Sequence, residues 1–135
     1  MATGSLEDHN RICVLQRRQL LEAEQEWLRS ENPDIIVSDI VPLACAAASG
    51  ARIPCICVSN FSWDFVYSEY LTTVPAALRN VTWQIAADYA KADLLLRLPG
   101  YCPMPAFKEV VDVPLVVRHA RLSVRKVQFR LSQGP

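Results

Sequence analysis

Two short apolar runs, with a proline-opened and alanine-rich segment between them, constrain this chain most. The runs are Asp34-Ile35-Ile36-Val37-Ser38-Asp39 and Ile53-Pro54-Cys55-Ile56-Cys57-Val58. The first is continuous rather than alternating, which suits a strand covered on both faces. Pro42 predicts the start of a helix over 43–49, because the first turn leaves that N–H without a helical partner in any case. Ala44, Ala46, Ala47 and Ala48 make this helix slim, and Gly50 is its expected stop. Strand, helix and strand in this order predict a right-handed crossover between parallel strands.

The rest of the chain continues the alternation. Residues 6–30 read as an amphipathic helix lying on a sheet, with Val14, Leu21 and Leu28 at heptad spacing and Leu20 and Trp27 beside them. Residues 61–71 read as a helix or a long aromatic loop, and 78–90 as a helix with Val81, Ile85 and Tyr89 on one face. A third strand is expected over 92–98, ended by Pro99-Gly100. Residues 101–113 read as a loop, and 114–118 as a short fourth strand. The expected class is therefore α/β: a partial Rossmann-like, mostly parallel sheet of about four strands with flanking helices. No strand precedes the first helix, which implies that one or more strands belong ahead of Leu6. Residues 1–118 are expected as one domain. The tail, 119–135, is basic: from Arg118 to Arg130 there are five cationic residues and no acid.

Composition narrows the function. Lys plus Arg equals Asp plus Glu at 14 each, so no bulk charge favours nucleic acid or an anionic membrane. No apolar run approaches the roughly 20 residues that span a bilayer. Residues 1–10 lack the features of a secretory signal, so a cytoplasmic location is expected. The five cysteines (Cys13, Cys45, Cys55, Cys57, Cys102) are an odd number and are expected as reduced thiols. Cys55 and Cys57 share one strand face. With the two histidines, His9 and His119, remote in sequence, the cysteines read as small core residues and no metal site is expected.

Ligands of open α/β sheets sit at the carboxyl ends of the strands. The run Cys57-Val58-Ser59-Asn60-Phe61-Ser62-Trp63-Asp64-Phe65 passes there from β-branched residues to small polar and aromatic ones. The candidate ligand-binding residues are Asp39, Asn60, Ser62, Trp63, Asp64 and Arg97. Asn60, Ser62 and Asp64 suit sugar hydroxyls, and Trp63 can stack on an apolar sugar face. The structural alternative makes Asp39 and Ser62 helix caps and Trp63 a core residue. No G-x-G-x-x-G, G-x-x-x-x-G-K-[ST] or G-x-S-x-G pattern occurs, and no catalytic constellation is expected.

Longer segments carry a resemblance. Pro33-Asp34-Ile35-Ile36-Val37-Ser38-Asp39-Ile40-Val41-Pro42 resembles the strand–helix step of GT-B glycosyltransferase N-terminal half-domains. Ser59 to Phe65, Trp83-Gln84-Ile85-Ala86, Val111 to Arg118 and, most specifically, Arg97-Leu98-Pro99-Gly100-Tyr101-Cys102-Pro103-Met104-Pro105-Ala106-Phe107 resemble the plant L-arabinokinase family. That family carries a GT-B glycosyltransferase-like region ahead of a GHMP-type sugar kinase domain. The resemblance covers residues 20–125. It implies a parent that phosphorylates L-arabinose at the anomeric hydroxyl with ATP. The family's Gly- and His-containing first strand–loop and its Gly-rich ATP loop are not found in this sequence. A fragment without activity of its own is therefore expected, with ATP and Mg²⁺ needed only by the kinase domain. The alternatives are a remnant that binds a sugar or nucleotide-sugar, and a non-catalytic piece that self-associates through an exposed sheet edge.

Overall fold

A computed structural model describes residues 6–71, 76–115 and 117. The order is α1 (Leu6–Glu31), β1 (Ile36–Ser38), α2 (Pro42–Ala51), β2 (Cys55–Ser59), α3 (Trp63–Ser68), α4 (Ala76–Tyr89), β3 (Leu94–Arg97) and β4 (Val110–Asp112). The four strands form one sheet in the order β1-β2-β3-β4, and every pairing is parallel. The expected α/β class and parallel sheet are what the structure shows.

Because the sheet grows in one direction only, right-handed crossovers put α2 and α4 on the same face. The residues turned toward them form the core: Cys55, Cys57 and Leu95 pack with Cys45, Ala48, Tyr89, Met104 and Phe107. Leu95 and Tyr89 are fully buried, and the Tyr89 ring stacks on Phe107 with centroids 5.0 Å apart. The opposite face is different. Register places Val37, Ile56 and Leu94 in one row, and Val58, Leu96 and Val111 across the remaining strands. Val37 is 67% exposed and Val111 49%. No helix among the described residues covers this face, although a parallel sheet normally buries both.

Three elements depart from the sequence expectation. First, α1 packs on α2 rather than on the sheet. Leu28 is buried in that contact, while Leu20 and Trp27 are exposed. Arg17 of α1 also reaches α4, pairing at 2.5 Å with the buried Asp88 carboxylate, which Lys91 and Gln84 approach as well. Second, α2 runs through Gly50. A Schellman closure follows, with Arg52 N–H donating to Ser49 O and Ile53 N–H to Ala48 O, and Arg52 takes the left-handed conformation at φ 62°. Gly50 instead makes room for α1: a Cβ there would lie 2.0 Å from Gln25 Nε2.

Third, the fourth strand is Val110–Asp112 and not 114–118. Leu95 N–H donates to Glu109 O, and Val113 N–H to Arg97 O. Pro114 has no N–H, so the ladder stops before it. Pro114, Leu115 and Val117 are not in a strand. The basic tail, 119–135, lies outside the described residues. No helix among the described residues is long and apolar enough to cross a membrane.

Candidate functional site

The carboxyl ends of β1, β2 and β3 form one edge of the sheet, as parallel strands require. At the end of β1 the backbone turns sharply. Ile40 adopts φ 54°, a left-handed conformation that costs a β-branched residue about 1–3 kcal/mol. Burial and a 2.9 Å hydrogen bond from the Tyr89 hydroxyl to Ile40 O hold it there. Burial raises the pKa of the Tyr89 hydroxyl above the ordinary phenol range, with an opposing hydrogen bond at the Trp63 backbone. Tyr89 thus ties the end of β1 to the start of α3. The turn at Ile40 leaves Asp39 exposed. Asp39 is not a cap: the Val41 N–H donates instead to Ser38 Oγ at 3.1 Å.

The ends of β2 and β3 are laced together. Ser59 pairs with Arg97 in register, Leu98 N–H donates to Ser59 O, and Cys102 N–H donates to Asn60 O. The 98–102 loop therefore folds back beside Asn60, whose side chain is exposed. Ser59 Oγ accepts the Phe61 N–H at 3.3 Å and bends the chain toward α3. Trp63 is 37% exposed rather than core, edge-on to Phe61 at 5.1 Å and stacked on Tyr67 at 5.7 Å.

Beneath this aromatic lip lie Ser62 and Asp64. Ser62 occupies the N-cap position of α3 without making a side-chain cap. Its Oγ and Asp64 Oδ1 are buried and have no hydrogen-bond partner among the described residues. Such atoms are rare, because an unsatisfied buried polar group costs about 1–3 kcal/mol.

Arg97 is committed elsewhere. Its guanidinium grips Asp112 through Nε at 2.6 Å and Nη2 at 3.1 Å, and it lies 3.7 Å above the Tyr101 ring centroid. The hydrogen bond from Arg97 holds the Asp112 carboxyl below the usual carboxylate range. Arg97 thus joins β3 to β4 and supports the 98–102 loop. The edge accordingly offers Asp39, Asn60 and Trp63 at the surface and Ser62 and Asp64 underneath.

A shallow cleft of about 300 Å³ lies at the opposite, amino end of the strands, lined by Ser49, Arg52, Ile53, Pro54, Lys91 and Asp93. Two of its charged groups are already engaged. Asp93 Oδ2 accepts the Cys55 N–H at 2.8 Å, and Lys91 pairs with Asp88 at 3.4 Å. The negative end of the α2 dipole also faces this side, which disfavours anions.

Ser38, Ile40 and Tyr89 were not among the candidate ligand-binding residues. Ser38 was visible as a small polar residue at a strand end, but nothing local marked Ile40 or Tyr89, whose roles depend on a contact 49 residues apart.

No family model matches the chain, and no solved structure matches it. L-arabinokinase of Arabidopsis thaliana is 51% identical over 128 residues, which is 95% of this chain and 12% of that protein's length. By sequence the chain is related to plant L-arabinokinase, over a segment amounting to 12% of that protein.

Proposed function

We propose that this chain forms a sugar-facing α/β part of an L-arabinokinase-like protein and performs no phosphoryl transfer itself. The observation that carries this reading is the 51% identity spread over 95% of the chain. The relative's name implies phosphorylation of L-arabinose. That chemistry needs a cradle for the phosphates of ATP and a cation beside them, and these 135 residues contain no phosphate-loop pattern. ATP and Mg²⁺ accordingly belong to another part of such a protein.

The sheet corresponds in this reading to part of the N-terminal half-domain of a GT-B glycosyltransferase-like region. Asp39 and Asn60 offer acceptors and donors to sugar hydroxyls, Trp63 offers an apolar face, and the orphaned Ser62 and Asp64 atoms are buried on either side of Trp63 in the chain. L-Arabinose is the first ligand to test and a nucleotide-sugar the second. The location proposed is the cytosol. Its support is that Cys45, Cys55, Cys57 and Cys102 are free thiols, as a reducing compartment maintains.

A partner for the sheet is also part of the proposal. The apolar face that no described helix covers, and the outer edges of β1 and β4, which no described strand pairs, would be covered by the rest of the larger protein. In isolated chain, a second copy would take that place.

The reading is tested by following ADP release from purified, folded chain with L-arabinose, ATP and Mg²⁺. No release above the protein-free control is expected. Release proportional to the amount of chain, and dependent on L-arabinose, would overturn the assignment of catalysis elsewhere.

A further inference from the structure

Three cysteine sulfurs meet in the core between α2 and β2. Cys55 and Cys57 alternate along β2 and so face the same way, and Cys45, from the fourth position of α2, comes down onto them. All three are fully buried. Their sulfurs all lie within 4.8 Å of one another, with Cys45 Sγ and Cys57 Sγ 3.3 Å apart. Three thiolates bound to one cation at about 2.3 Å would stand about 4 Å apart in a trigonal plane, so small side-chain rotations suffice to close the site.

The surroundings select among cations. The sulfurs share the core with Ile40, Ala48, Tyr89, Leu95 and the partly buried Ile36, while the Ser38 hydroxyl reaches Cys57 and the Val41 carbonyl lies 3.7 Å from Cys45 Sγ. A tetrahedral zinc site wants a fourth thiolate, imidazole or carboxylate, and none among the described residues joins the three sulfurs. Three soft donors in a dry, low-coordinate pocket suit a soft monovalent d¹⁰ cation. The geometry points to a trigonal Cys45–Cys55–Cys57 site for a single cuprous ion.

Binding replaces the thiol protons with the metal and releases them to solvent. Oxidation state does not change, so no oxidant is needed.

The test is anaerobic titration of the reduced full chain with Cu(I) against a chromophoric Cu(I) chelator. One ion per chain is expected, with a thiolate-to-copper absorption band and a raised melting temperature. Cys55→Ser and Cys57→Ser are each expected to weaken binding at least about 100-fold. Cys102→Ser, outside the cluster, should leave it unchanged. X-ray absorption of the wild-type complex should give three sulfurs near 2.3 Å, and it decides the matter if a variant fails to fold. Stoichiometry below one, a first shell containing nitrogen or oxygen, unchanged affinity in the folded Cys55→Ser variant, or loss on Cys102→Ser would each overturn the site.

Discussion

Leu95→Ala is expected to destabilise the chain by about 3 kcal/mol, and Leu94→Ala by no more than about 1 kcal/mol. The two leucines are neighbours on β3 and differ only in the face they serve. Leu95 is fully buried among Cys57, Tyr89 and Phe107, so truncation leaves a cavity that a packed core cannot collapse. Leu94 sits beside Ile56 on the face that no described helix covers. Total stability of a small domain is about 5–15 kcal/mol, so the first loss would move a urea midpoint far and the second little. The midpoints are comparable if the slope is unchanged. Equal losses at the two positions would mean that both faces are covered.

Replacing Val37 and Val58 together by lysine is expected to weaken self-association of the isolated chain at least about tenfold, or about 1.4 kcal/mol. An apolar sheet face of this kind, exposed at Val37 and Val111 and half-buried at Ile56, Val58, Leu94 and Leu96, marks an interface or an aggregation site. Val37 is 67% exposed on an edge strand, and Val58 lies on the same face of the adjacent β2. Lysine can carry its ammonium into water from either position, so the fold should survive with its circular dichroism unchanged. Sedimentation velocity over a concentration series reads the effect. Wild-type chain that stays monomeric at the highest concentration would remove the case for this face as an interface.

The parallel sheet was legible in the sequence because each of its signals is local. The runs at 34–39 and 53–58 needed only their β-branched residues, and α2 needed only Pro42 and its alanines. The misread points depended on contacts distant in sequence. Gly50 is an ordinary stop signal, yet the stop fell at Arg52, and the glycine lies under Gln25 of α1. The run at 114–118 looked like a strand, but the neighbour available to β3 was Val110–Asp112, whose pairing is fixed by the Arg97–Asp112 grip. The continuous apolar run of β1 implied cover on both faces, whereas Val37 is bare among the described residues.

The candidate site was legible in the same measure. The carboxyl edge and its polar run could be read from strand order alone. The Ile40 turn could not, because the Tyr89 hydroxyl that holds it comes from α4. The commitment of Arg97 to Asp112 depended on where β4 falls. The cysteine trio was two-thirds visible as the i, i+2 pair on β2, and the third sulfur came from a helix whose rotation only packing determines.

The most direct measurement of a sugar-facing role is a ¹H–¹⁵N correlation titration of folded, reduced chain with L-arabinose, with a nucleotide-sugar as the second arm. Shifts are expected at the backbone amides of Asp39, Ile40 and Asn60 and at the Trp63 indole, with Lys91 and Asp93 at the other end of the sheet unmoved. Spectra that stay unchanged in both arms, or shifts confined to the amino end of the strands, would contradict it.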